Sequence, residues 1–140
     1  MKENTLGRLL GRLSALALAA LIVALLLAAA SGCGTKAKPS ETLEQFYILM
    51  AERKFGEAYS LLASESKTRK LMTEEVFIQT MEKQTPQGLA VTAFSVLSES
   101  EEGDRAKVKY SVTIQEPDKE PRSNEAEAEL ALEDGNWKLL

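Results

Sequence analysis

Arg105-Ala106-Lys107-Val108-Lys109-Tyr110-Ser111-Val112-Thr113-Ile114 is the stretch whose reading decides the fold. Ala106, Val108, Tyr110, Val112 and Ile114 share one parity; Arg105, Lys107, Lys109, Ser111 and Thr113 share the other. A period of two with one apolar and one polar face describes a strand half buried in a sheet. The pattern recurs downstream, where Ala126, Ala128, Leu130 and Leu132 alternate with Glu125, Glu127 and Glu129. Paired antiparallel, the two strands set lysines against glutamates on the solvent face, which helps to fix register. Between them Glu116–Ser123 holds Pro117 and Pro121 and reads as a loop. Asp134-Gly135 is a two-residue hairpin signal leading into a last strand, Asn136–Leu140, with Trp137 and Leu139 inward about Lys138. Upstream, Leu89–Glu99 is rich in Val, Thr, Phe and Leu and reads as the first strand, closed by the turn Glu101-Glu102-Gly103-Asp104.

Before Leu89 the period changes to 3.6. Ser40, after Pro39, is the expected N-cap of a first helix, with Glu41 in its first turn. Leu43, Phe46, Tyr47 and Met50 form its apolar face, and Arg53-Lys54 marks its end. Phe55, Ala58, Tyr59 and Leu62 repeat the spacing in a second helix, followed by the polar break Ser64-Glu65-Ser66. Thr73 caps a third, with Val76, Phe77, Thr80 and Met81 inward and Thr85-Pro86-Gln87-Gly88 as its stop. Three helices followed by about four antiparallel strands predict an α+β domain, helices on one face of a curved sheet.

The N-terminal third differs in kind. Leu13–Ala30 carries no charge, and Ala30-Ser31-Gly32-Cys33 follows it. Lys2, Arg8 and Arg12 precede the apolar run, so the acidic excess of the chain falls on the part that follows. Basic residues stay on the cytoplasmic side of an inserted apolar segment, which sends the acidic part across. This arrangement resembles the lipobox of bacterial lipoproteins: small residues enter the signal peptidase, cleavage falls between Gly32 and Cys33, and the Cys33 thiol takes the lipid. The run would also reach about 27 Å as a helix, near a hydrocarbon core of about 30 Å. The position of the chain's single cysteine, directly after three small residues, favours cleavage over an uncleaved anchor. The expected organisation is therefore a signal peptide over 1–32, a lipidated cysteine and tether over 33–40, and the α+β domain over 41–140. Lys36 and Lys38 in the tether read as a solvated linker within reach of lipid head groups.

The runs Glu44-Gln45-Phe46-Tyr47, Phe55-Gly56-Glu57-Ala58-Tyr59-Ser60-Leu61-Leu62 and Glu133-Asp134-Gly135-Asn136-Trp137-Lys138-Leu139 resemble small bacterial lipoproteins with a nuclear-transport-factor-2-like (cystatin-like, lumazine-binding-like) domain of unknown function. The resemblance implies a roll of helices over a curved sheet, in which relatives often enclose a cone-shaped cavity and some are isomerases or dehydratases.

The composition narrows the chemistry. The chain of 140 residues has no histidine, one cysteine and a net charge of −4. Triads that need a histidine base, zinc and iron sites of the usual kinds and internal disulfides all lack their residues. An acidic chain without a basic stripe does not suit nucleic acid. Asp104, Asp118 and Asp134 fall in turns or loops, and Glu57 and Glu82 lie near helix ends, so no catalytic residue, metal or cofactor is expected. Tyr47, Tyr59, Tyr110, Thr80 and Thr92 are the inward polar groups. Phe46, Tyr47, Tyr59, Phe77, Phe94, Tyr110 and Trp137 are the expected core, or the lining of an apolar ligand pocket. The expected function is a non-catalytic binding or accessory module at the cell envelope, anchored through Cys33, its partner a small apolar ligand or an envelope protein. An isomerase or dehydratase using a cavity, and a dimerising structural module, are the alternatives.

Overall fold

The alternating stretch forms the central strand β2 (Arg105–Gln115), with Ala106, Val108, Tyr110 and Val112 all buried. The computed structural model describes residues 36–140, so the expected signal segment 1–32 and the Gly32–Cys33 cleavage point lie outside the described residues. Four helices come first: α1 (Pro39–Ala51), α2 (Phe55–Ser60), α3 (Lys67–Leu71) and α4 (Glu74–Gln84). Around β2 stand β1 (Ala90–Glu102), β3 (Arg122–Glu133) and β4 (Asn136–Leu139). They form an open antiparallel sheet in the order β1-β2-β3-β4. The α+β class is as expected, with one helix more. Five residues without an apolar stripe, α3 gives no periodic signal; its start is fixed by the Ser66 hydroxyl, which accepts from the Arg69 N–H.

The first helix starts earlier than its sequence suggests. Lys38 is the N-cap and Pro39 takes the first helical position, where its missing N–H and fixed φ cost nothing. Ser40 lies inside the first turn, and its N–H donates to the Glu99 carboxylate at 2.9 Å. Glu41 accepts from the Lys38 N–H at 2.9 Å. Lys36 is not simply solvated: its ammonium sits 5.2 Å from the centre of the Trp137 ring. After α1, Arg53 takes φ 61° and turns the chain into α2. Its guanidinium donates to the carbonyls of Thr85 (2.6 Å) and Glu82 (3.0 Å), closing the end of α4 with a cation where the helix dipole favours one.

The inward face of α4 is rotated from the expected one. Phe77 is buried and Ile78 and Met81 pack beside it, while Val76 is 49% exposed. Thr80 spends its hydroxyl on the Val76 carbonyl of its own helix, at 2.7 Å. The first strand is longer than expected and irregular. Its register slips between Val91 and Ala93 and again between Val96 and Ser98, so Thr92 and Leu97 are extra residues. Each bulge changes the parity that faces the helices. Phe94 and Val96 therefore share a face with Val112 and Tyr110, but Glu99 and Glu101 share one with Val108 and Ala106. Thr92 is consequently exposed rather than inward.

β2 and β3 pair without a break from Arg105↔Ala131 to Ile114↔Arg122, so β3 begins inside the expected loop. The register sets Lys107 opposite Glu129 and Lys109 opposite Glu127. Lys107 and Glu129 form an ion pair at 3.1 Å, whereas Arg105 pairs with Glu65 at 2.7 Å. The β3–β4 turn uses Asp134 and Gly135 at φ 50° and 79°, both positive as a two-residue hairpin of this type needs. On its other side β4 is held by residues 61–63: the Leu139 N–H donates to the Leu61 carbonyl (2.8 Å), and the Ala63 N–H to that of Leu139 (2.6 Å). The core joins Leu43, Phe55, Tyr59, Leu62 and Phe77 from the helical half to Val108, Tyr110, Val112, Leu130, Trp137 and Leu139 from the sheet. It runs from the end of the sheet where β4 and the two hairpin turns sit along β2 as far as Val112. At the other end β3 is bare, and Ala126, expected inward, is exposed because no described helix covers it.

Candidate functional site

The seven aromatics expected as core or pocket fall into two groups and one single residue. Tyr47 on α1 meets Phe94 on β1 and Tyr110 on β2, and Phe46 stands edge-on to Tyr47 at 6.1 Å. Phe94 stacks on Tyr110 at 5.6 Å between centroids and 19° between planes, and Tyr47 tilts over both at 6.4 and 5.6 Å. The Tyr47 and Tyr110 hydroxyls are 2.6 Å apart, so each satisfies the other in a place with few alternatives. Burial pushes the Tyr47 hydroxyl well above its ordinary range, and the bond to Tyr110 adds to this, so Tyr47 stays protonated at physiological pH. A phenol held protonated in this way is a poor base.

The second group is Tyr59 and Phe77, 5.3 Å apart, joining α2 to α4. The Tyr59 hydroxyl donates to the Met72 carbonyl at 3.0 Å, and the Arg69 guanidinium lies 4.8 Å over its ring. Trp137 stands alone at the sheet end, buried beneath Lys36. Tyr59, Phe77, Tyr110 and Trp137 are buried, and Phe46, Tyr47 and Phe94 pack on them half-buried. Every buried side-chain nitrogen or oxygen among the described residues has a partner.

The depressions of the surface lie elsewhere. One of about 270 Å³, at the β1–β2 turn, is lined by Ser100, Glu102, Arg105, Ala106 and Lys107. A smaller one of about 140 Å³ lies between Ile114, Glu116, Glu120, Arg122 and Asn124. A broad one of about 530 Å³ opens where β4 stops, between Glu65, Lys67 and Lys70 on one side and Glu127, Ala128, Glu129 and Leu139 on the other. None of these three touches the seven aromatics.

The carboxylates with shifted titration are partly exposed, and the largest cause in each is a hydrogen bond from one neighbour. Glu133 Oε1 accepts the Ser64 hydroxyl (2.8 Å) and N–H (2.9 Å), which holds its carboxyl below the ordinary range. Lys119 does the same for Glu116. Asp104, Asp118 and Asp134 sit exposed at turns, and Glu57 and Glu82 point to solvent. Among the described residues no three potential metal ligands cluster, and no helix is long and apolar enough to cross a membrane.

The comparison with solved structures bears on the fold. A SEC-C motif containing protein from Rhodopseudomonas palustris superposes with a TM-score of 0.56 at 18% identity, over 74% of this chain and 77% of its own. A protein of Campylobacter jejuni named as an NTF2-like transpeptidase reaches 0.49 at 16%, over 74% of this chain and 98% of its own. At such identities the likeness concerns chain path alone. No family model and no curated protein matches the sequence.

Sequence reasoning missed one feature of this surface. From Arg122 to Glu127 every residue of β3 is exposed, on both faces and along one edge.

Proposed function

We propose that the chain is a lipoprotein precursor, processed before Cys33, whose acidic α+β domain of nuclear-transport-factor-2-like type acts without turnover as a binding or accessory module on the outer side of a membrane. The observation that carries this reading is the placement of the single cysteine at the end of the apolar run Leu13–Ala30, behind Ala30-Ser31-Gly32. Two acyl chains on such a residue give a stable anchor where one is marginal. The absence of turnover is supported by the chemistry of the side chains. No histidine is present, the one thiol is taken by lipid, and the two phenols that meet inside the domain neutralise each other's hydrogen-bonding needs. The glutamate that reaches towards the helices, Glu99, is committed to the Ser40 N–H.

Metabolic labelling with a fatty acid tests the anchor. Wild-type chain takes up label and separates with membranes, and Cys33→Ser takes up none and keeps its N-terminal segment. Equal label on both would sink the reading.

A further inference from the structure

The chain is bound to the domain before its first helix begins. Pro39 is fully buried, and Ser40 and Thr42 are buried beside it. The Lys38 N–H donates to the Glu41 carboxylate and the Ser40 N–H to that of Glu99, each at 2.9 Å. Further back, the Lys36 ammonium lies 5.2 Å from the centre of the Trp137 ring. Residues 36–40 are therefore a strap fastened to the domain, not the free linker their composition suggests.

The strap has a direction. Trp137 lies opposite Leu132, whose N–H donates to the Asp104 carbonyl, so Lys36 stands at the end of the sheet that holds the two hairpin turns. From there α1 leads away beside β1. Ser40 meets Glu99, Tyr47 meets Phe94, and Arg53, just past the helix, holds the Thr85 carbonyl ahead of β1. The loop 116–121 lies at the opposite end, a full length of β2 away, about 36 Å for its 11 residues.

This inference rests on the reading that Cys33 carries the lipid. Only Gly34 and Thr35 then separate the lipid from the strap. Three residue steps of extended chain span at most about 11 Å. Head groups extend about 5–7 Å beyond the hydrocarbon on each side of a bilayer. A tether free from Cys33 to Ser40 would let the domain turn any face to the lipid, and one this short does not. We propose that the hairpin end of the sheet is a lipid-contacting surface, held on the head groups by the strap, with the 116–121 loop presented outward.

Charge selects the lipid. Glu101, Glu102, Asp104 and Asp134 are exposed at this end, against Lys36 and Lys38 on the strap. Arg105 and Lys138 are spent on Glu65 and on the Ser60 carbonyl. Anionic lipid repels such a face, whereas zwitterionic head groups offer it an ammonium.

The test uses the full lipidated chain in phosphatidylcholine vesicles that carry a nitroxide on part of their head groups. No cysteine but Cys33 is present, so Asp104→Cys and Glu120→Cys each give one site for a fluorophore. Flotation with the vesicles reads the anchor, and quenching reads contact with the head groups. The expected result is flotation of both proteins, with the dye at 104 quenched and the dye at 120 unquenched. A Gly-Ser insertion between Thr35 and Lys36 that lengthens the tether by about 28 Å should erase the difference between the two dyes. Replacing part of the phosphatidylcholine by phosphatidylglycerol should weaken quenching at 104, and added salt should restore it. Equal quenching at 104 and 120 in the floating chain, a difference that survives the insertion, or indifference to the anionic lipid would each overturn the proposal. A chain that does not float overturns the anchor, and this placement with it, so the two failures are read separately.

Discussion

Replacing Tyr110 by Phe removes one hydroxyl from the pair that joins α1 to β2, and its cost follows from the surroundings. The two oxygens are 2.6 Å apart; Tyr110 is 5% exposed and Tyr47 half-buried. A net hydrogen bond contributes roughly 1 kcal/mol, and an orphaned buried partner costs about 1–3 kcal/mol. Because Tyr47 retains some access to water, the lower half of that range applies to Tyr110→Phe, about 1.5 kcal/mol, whereas Tyr47→Phe orphans the buried Tyr110 hydroxyl and should cost about 2.5 kcal/mol. The double variant leaves no hydroxyl unsatisfied and keeps the ring stack on Phe94, so it should cost about 1 kcal/mol less than the sum. Urea unfolding followed through Trp137, the only tryptophan, measures all four proteins. Each single loss corresponds to a fall of about 6 °C or more in Tm for a domain of this size. The folded Tyr47 stays protonated above its ordinary value of 10.0 while the unfolded chain ionises there. Its contribution is therefore complete below pH 10 and lost as the pH rises further, a slope that Tyr47→Phe should remove. Single costs that add within about 0.3 kcal/mol in the double variant would refute the reasoning, because each hydroxyl would then be satisfied by water alone.

Three further outcomes are expected. Trp137→Ala should lower stability by roughly 3–5 kcal/mol, seen as a large fall in the thermal midpoint, whereas an unchanged midpoint would place the ring in solvent. Gly88→Ala should cost more than Gly103→Ala: both glycines have positive φ, worth roughly 1–2 kcal/mol of strain to alanine, but the new methyl at 88 would meet Pro117 Cγ at 2.7 Å and the one at 103 nothing within 4 Å. Equal urea midpoints for the two would contradict this. Glu133 should titrate below the ordinary 4.5 in a carbon-detected NMR experiment and move up in Ser64→Ala; its contribution to stability is present above that pH and fades as the pH falls through the folded value.

The sheet beyond β1 was legible because β2 and most of β3 follow a period of two and the Asp134-Gly135 turn is a strong signal; Ala131, buried on the outward parity of β3, is the exception. The first strand was not, since bulges at Thr92 and Leu97 each add one residue and exchange its faces. Glutamates 99 and 101 then fall on the helix side, which no alternation rule would place there. The aromatic positions of the helices, β2 and β4 were readable from period, and Phe94 on the bulged β1 was not. The meeting of Tyr47 with Tyr110, 63 positions apart, was not, because it depends on how α1 lies across the sheet. Pro39 was the better sign of the first helix than Ser40, being suited to a first helical position that needs no donor.

The grip on β4 from both sides has a kinetic consequence. Residues 61–63 can find their partner only after a strand some 78 positions later is available, and the Lys138 ammonium that donates to the Ser60 carbonyl spans that interval too. Closing so long a loop costs entropy before any contact repays it. The hairpins β1–β2 and β3–β4 are local and can form early, whereas residues 61–63 gain their strand partner only once β4 is in place. Folding should therefore be slower than the short hairpin turns suggest, with its rate governed by this late long-range closure.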